Sequence, residues 1–147
     1  MVPARETLWT HYRTILLWAL LAGCTPPEPP EAAVRAWLER AEAAAEARDR
    51  RTLVGMISER YADSRGNDRD AIDRQLRLYF LRHQAIVIAS RIEALTISGD
   101  TAASVVLKAA MAGRGESVLD LDASARRFEL ELELEGDEWR LVGASWD

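Results

Sequence analysis

Cysteine occurs once in this 147-residue chain, at Cys24, and none follows it. Disulfides therefore cannot hold the folded part together, so its apolar core must, and a Cys-x-x-Cys redox or zinc motif is excluded. Histidine is almost as scarce, with only His11 and His83. A zinc site or a nucleophilic triad has little material, and no His-Glu-x-x-His, Gly-x-Gly-x-x-Gly, P-loop or Gly-x-Ser-x-Gly segment occurs. No metal and no cofactor is expected. No apolar run reaches the roughly 20 residues that span a bilayer. Basic residues are not in excess: 19 Lys and Arg stand against 24 Asp and Glu, a formal net charge of −5. That balance argues against nucleic acid as a partner and against anionic lipid binding through the domain surface.

What is present begins with a leader. Arg5 and Arg13 give a basic start, Thr14 to Leu21 is a short, nearly unbroken apolar run, and the small residues Ala22 and Gly23 precede Cys24. The run has the length of a signal-peptide core. Leu21-Ala22-Gly23-Cys24 resembles the lipobox of bacterial lipoproteins. The resemblance implies cleavage between Gly23 and Cys24, a diacylglyceryl group on the thiol and an acyl chain such as palmitate on the new amino group. Several chains together anchor stably where one does not. The alternative is an ordinary secretory signal with an incidental cysteine. Thr25 in place of aspartate implies the outer membrane, facing the periplasm, if the host is Gram-negative. Losing Arg5, Glu6 and Arg13 with the leader takes the formal charge from −5 to −6. Residues 1–23 are thus read as a lipoprotein signal, 24–30 as a proline-rich tether and 31–147 as one exported, membrane-anchored domain. Pro26-Pro27-Glu28-Pro29-Pro30 favours extended polyproline II and sets the domain off the membrane by roughly 15 Å.

The domain reads as helices followed by strands. A helix over about Glu31 to Arg48 carries the stripe Val34, Trp37, Leu38, Ala41, Ala44 and Ala45, with Glu39, Glu42 and Glu46 on its wet side. Asp49 caps a short helix holding Leu53, Val54 and Ile57. Ser58 to Asp68 reads as a loop with its turn at Gly66-Asn67, and Asp68 caps a third helix with the stripe Ile72, Leu76, Tyr79, Phe80 and His83. The period then changes. Ile86 to Ser98 and Thr101 to Ala112 form a hairpin around Gly99-Asp100, Gly113-Arg114-Gly115 is a further turn, and Phe128 to Glu135 alternates without exception. Trp139 to Trp146 is the last strand. A bulge near Gly143 would bring Trp139 and Trp146 to one face; without it they face opposite ways. The expected class is α+β, with three helices against a bent antiparallel sheet.

This order resembles the nuclear transport factor 2-like superfamily, the cystatin-like α+β cone. The residues that carry the resemblance are Trp37, Tyr61-Ala62-Asp63, Tyr79-Phe80, Gly99-Asp100-Thr101-Ala102 and Glu138-Trp139-Arg140-Leu141. The resemblance implies a cone enclosing a cavity, for which Trp37, Tyr79, Phe80 and Trp139 are lining candidates. It also implies, in the superfamily's enzymes, acid–base residues inside the cone. The candidates here are His83, Asp63 and Tyr61. Each has a plain alternative: a histidine favourably placed at a helix end, an aspartate organising a turn, a tyrosine in the core. Asp63, Asp68 and Asp70 around Gly66-Asn67 invite a calcium reading, but the spacing is not that of an EF-hand, and capping by Asp68 explains more.

The first functional expectation is a non-enzymatic, lipid-anchored envelope protein that binds a small apolar ligand in the cone or a partner on the sheet. Val106 and Ala110 beside Lys108 offer a sheet-to-sheet homodimer face. The alternatives are an isomerase, cyclase or dehydratase working by proton transfer through His83 or Asp63, and a docking subunit of an envelope complex. An open apolar cavity favours the ligand-binding role and a filled cone the partner role.

Overall fold

The computed structural model describes residues 28–113 and 125–147. The expected signal peptide, the lipobox with Cys24, the first part of the tether and the turn at Arg114-Gly115 lie outside them. Among the described residues the chain forms three helices and five strands: α1 (Pro30–Glu46), α2 (Arg50–Gly55), β1 (Ile57–Asp63), α3 (Arg69–Arg82), β2 (Ile86–Ser98), β3 (Ala102–Gly113), β4 (Arg126–Glu135) and β5 (Glu138–Trp146). No described helix is long and apolar enough to cross a membrane.

Pro30 opens α1, where its missing N–H and fixed φ are no handicap. The helix ends two residues earlier than its periodicity suggests. Arg48 turns left-handed at φ 56°. Its N–H donates to Ala45 O at 3.0 Å, and the Asp49 N–H donates to Ala44 O at 2.7 Å. These are the two bonds of a Schellman motif, built on arginine where glycine is usual. Asp49 then caps α2, accepting from the Thr52 N–H and hydroxyl. The Thr52 hydroxyl bond is the main reason its carboxyl is held below the ordinary range.

Ile57 does not belong to the second helix, and Ser58 to Asp63 is not a loop. Both lie in β1, which pairs in parallel with β5. The sheet is therefore mixed, in the order β1-β5-β4-β3-β2, with only its other four strands antiparallel. Tertiary contacts make β1 a strand. Leu141 N–H donates to Met56 O at 3.0 Å and Ser64 N–H to Ala144 O at 2.9 Å. On the outer face, Arg60 reaches Glu133 at 2.8 Å and Glu135 at 2.9 Å, and Ser58 Oγ donates to Glu135 at 2.7 Å. Hydrogen bonding from Ser58, and then from Arg60, lowers the Glu135 carboxyl below its usual range.

Two irregularities bend the sheet over the helices. In β2 the pairing shifts between Ile92 and Ala94. The extra residue, Glu93, sits among Lys108 (3.4 Å), Arg127 (3.5 Å) and Arg91 (3.8 Å). In β5, Glu131 pairs with Gly143 while Leu132 pairs with Leu141, so Val142 is an extra residue. That bulge puts Trp139, Leu141, Ala144 and Trp146 opposite Leu134, Leu132, Leu130 and Phe128, all on the inner face. Both tryptophans therefore share one side, and Trp146 lies 6.2 Å from Phe128, ring to ring.

The core sits between α1 and the inner face. Val34, Trp37 and Leu38 from α1 and Met56 after α2 meet Ala103, Val105, Leu107, Leu132 and Trp139. Burying a side chain such as Leu132 or Val105 contributes about 1.5–3 kcal/mol. By contrast, α3 has no fully buried residue. It covers the sheet without closing on it, and that gap is where the site lies.

Candidate functional site

Trp37, Leu38 and Ala41 of α1 face the inner sheet through a cleft of about 260 Å³. Its other walls are Leu53, Met56 and Ile57, the α3 residues Ile72 and Leu76, and Ile88, Leu107, Ala109, Leu130 and Leu141 of the sheet. The stripes that make α1 and α3 amphipathic thus line the cleft as well as the core. A neighbouring apolar cavity of about 230 Å³ shares Ile72 and Leu76 and adds Tyr79, Phe80, Ile86 and Met111. Ionisable or hydroxyl groups are rare here. Among the described residues those lining the larger cleft are Glu42 and Ser90, and the Ser90 hydroxyl donates to Glu42 Oε1. Trp37 adds a buried indole N–H that has no hydrogen-bond partner among the described residues.

The residues expected at the site are divided by the structure. Trp37 lines the larger cleft, and Tyr79 and Phe80 line the smaller one. Trp139 is packed into the core and lines neither. His83 stands one residue beyond α3, with its N–H donating to Tyr79 O at 3.0 Å and its ring stacked on Tyr79 at 4.2 Å. Asp63 is only 8% exposed and is consumed by a turn. Its Oδ1 accepts from the N–H groups of Arg65 (2.9 Å) and Asn67 (2.8 Å), and Oδ2 accepts from Asn67 Nδ2 (2.8 Å). Burial pushes its carboxyl upward, but the bonds from Asn67 and Arg65 outweigh that and leave it below the ordinary range. Tyr61 is buried, and desolvation, with Asp63 beside it, raises its hydroxyl to about 12. Asp63 and Tyr61 thus belong to β1 and its turn, not to the cleft. Asp68 caps α3 through the Ala71 N–H at 2.7 Å. Among the described residues no group of three His, Cys, Asp or Glu side chains is placed to hold a metal.

Glu42 and Ser90 are what the sequence reasoning missed. The helical pattern puts Glu42 on the wet side of α1, yet it follows Leu38 by four residues and so borders the stripe. On the outer face of the sheet, Val106 is half-buried and Ala110 buried, and Lys108 is within 3.4 Å of Glu93.

No protein-family model matches the chain, and no curated protein matches it in sequence. Solved structures do match in shape. A cystatin-like domain of unknown function from Nostoc punctiforme aligns with a TM-score of 0.68 at 13% identity, over 82% of this chain and 78% of that one. A nuclear transport factor 2-like protein of unknown function from Shewanella oneidensis aligns at 0.61 and 16%, over 80% and 98%. A candidate dehydratase of the nuclear transport factor 2-like family from Streptomyces avermitilis aligns at 0.65 and 13%, over 82% and 97%. Identities this low speak to architecture alone. The chain has the nuclear transport factor 2-like, cystatin-like fold.

Proposed function

We propose that this is a lipid-anchored cell-envelope protein whose domain binds a small, largely apolar molecule without transforming it. The observation that carries the reading is the open apolar cleft between α1, α3 and the inner sheet. A dry apolar cavity of about 150 Å³ is enough to take benzene, so about 260 Å³ suits a molecule somewhat larger than one ring. Glu42 and Ser90 give such a ligand one polar end to orient against. Proton-transfer catalysis would need an acid or base within hydrogen-bond reach of the bound molecule. Tyr61 and His83 are not among the residues lining either apolar cavity, and Asp63 borders a separate polar one of about 340 Å³ beside Glu129 and Glu131 with its oxygens already engaged by Arg65 and Asn67, which favours binding over catalysis.

The test is a titration of the purified full chain with N-phenylnaphthylamine, an apolar probe that brightens on leaving water. Saturable binding at one site per chain is expected. Ala41→Trp, which fills the larger cleft, should weaken it at least ~10-fold, since it removes most of the apolar contact area. Unsaturable binding, or equal binding by a folded Ala41→Trp variant, would end the proposal.

A further inference from the structure

α3 carries large apolar side chains on both sides. Ile72 and Leu76 turn inward to the cavities. Leu78 and Leu81 do not, and they are 55% and 73% exposed. At about 100° per residue, Arg74, Arg77, Leu78 and Leu81 all fall within roughly 60° of the point opposite Ile72. They make one outward strip. Arg74, Arg77 and Arg82 are exposed and have no ion pair or hydrogen bond to a side chain among the described residues. The strip's edge opens into a groove of about 350 Å³ lined by Arg48, Arg50, Arg77, Phe80 and Leu81. Two of those cations are engaged: Arg48 holds the carbonyls of Phe80 and His83, and Arg50 pairs with Asp73. Of the acids of α3, Asp70 shares the strip's face but stands about two turns before Leu78, and Asp73 is paired with Arg50.

Exposed leucines bracketed by arginines have the composition of a helix that lies in a membrane interface. A merely solvated face gains nothing from the leucines, and an apolar protein patch gains nothing from three cations that no described side chain pairs. We propose that this strip docks on an anionic phospholipid bilayer. Leu78 and Leu81 enter the headgroup–acyl boundary, Arg74 and Arg77 meet lipid phosphates, and Arg82, about 100° from the strip's centre and beyond Leu78, reaches them from its flank. The chain's negative total weighs against anionic lipid for the surface as a whole, but most of it is carried away from the strip. Glu129, Glu131, Glu133 and Glu135 crowd the outer face of the sheet, beyond a helix about 10 Å across, and exposed charges are screened over about 8–10 Å. The membrane meets the strip, not the sum. Docking is separate from the lipid on Cys24 and from the ligand in the cleft.

The test uses the full chain carrying Cys24→Ser, so that no acyl chain attaches. A spin label is placed through Leu81→Cys in one sample and through Thr96→Cys, on the outer sheet face, in another. Each is mixed with vesicles of phosphatidylglycerol and phosphatidylethanolamine, or of phosphatidylcholine alone. Collision with oxygen and with a water-soluble nickel chelate gives the depth of each label. The leader's own apolar run can bring the chain to a vesicle, so depth decides and bound mass does not. On anionic vesicles the label at position 81 should lose nickel contact and gain oxygen contact, while the label at 96 stays wet. Replacing Arg74, Arg77 and Arg82 together by glutamine should weaken this docking by roughly 100-fold. Equal wetness of the two labels, equal docking on both lipids, or immobilisation of the label at 81 without vesicles (a second copy as occupant) would each overturn the proposal.

Discussion

At the scale of single residues, Arg48 ties two elements through a backbone conformation that an L-residue resists. The left-handed region costs a non-glycine residue roughly 1–2 kcal/mol, and Arg48 occupies it at φ 56°. In return its guanidinium donates to Phe80 O and His83 O, each at 3.1 Å, and satisfies carbonyls that the end of α3 leaves open. The two substitutions that remove those bonds should therefore differ. Arg48→Ala keeps the strain and loses the bonds, and it is expected to destabilise by about 2 kcal/mol. Arg48→Gly loses the same bonds but relieves the strain, and it should stay within ~1 kcal/mol of the wild type. Both should raise amide exchange in the last turn of α3. Equal urea midpoints for the two variants would show that the left-handed position carries no cost. Nothing in the sequence marks Arg48, because glycine is the residue that announces such a turn and the helical periodicity runs on to it.

At the scale of elements, the strands divide by how they are stabilised. β4 was legible because Phe128-Glu129-Leu130-Glu131-Leu132 writes its two faces directly into the sequence. The bulge that turns both tryptophans inward was legible as a condition: only pairing with β4 could settle it, and Glu131↔Gly143 beside Leu132↔Leu141 does so. β1 was not legible. Ser58-Glu59-Arg60-Tyr61-Ala62-Asp63 lacks β-branched residues, and its extended form comes from partners some 75 residues away, Glu133 and Glu135. Half of the cleft was legible, through the apolar stripes of α1 and α3. Its polar corner was not, since Glu42 meets Ser90 only when α1 lies on β2. The titration of β1 makes its own prediction. The Tyr61 hydroxyl ionises at 10.0 when unperturbed and is raised to about 12 by the fold. Its contribution is thus complete below pH 10 and is lost as pH rises through about 12, a fall of about 2 kcal/mol. Tyr61→Phe should remove that alkaline loss from urea denaturation followed between pH 9 and 12. The same high-pH slope in the variant would place the titration elsewhere. Asp63 works in the opposite direction. Its lowered carboxyl stabilises the fold above the ordinary carboxylate range and ceases to do so as pH falls below it.

At the scale of the whole molecule, one side differs from the other. The outer sheet face carries the glutamates of β4, while the helical side carries the cleft and the strip of arginines and leucines on α3. The proposed anchor lies outside the described residues and is tested directly: Cys24→Ser should abolish labelling by a palmitate analogue and leave the chain unprocessed by lipoprotein maturation. A serine variant that still takes up label would remove the anchor from the account.

A protein held on a membrane is confined to two dimensions, where copies collide often and stay in contact longer. An open strand edge is then a hazard, because its unpaired main-chain groups invite a neighbour to add a strand. β2 is such an edge, since it ends the sheet among the described residues. Glu46 reaches from the end of α1 and accepts the Ile88 N–H at 2.9 Å, and Glu93 interrupts the register halfway along. One carboxylate and one extra residue thus deny the next copy a continuous template, so that crowding on a bilayer, if the proposed anchor holds the chain there, need not lead to polymerisation.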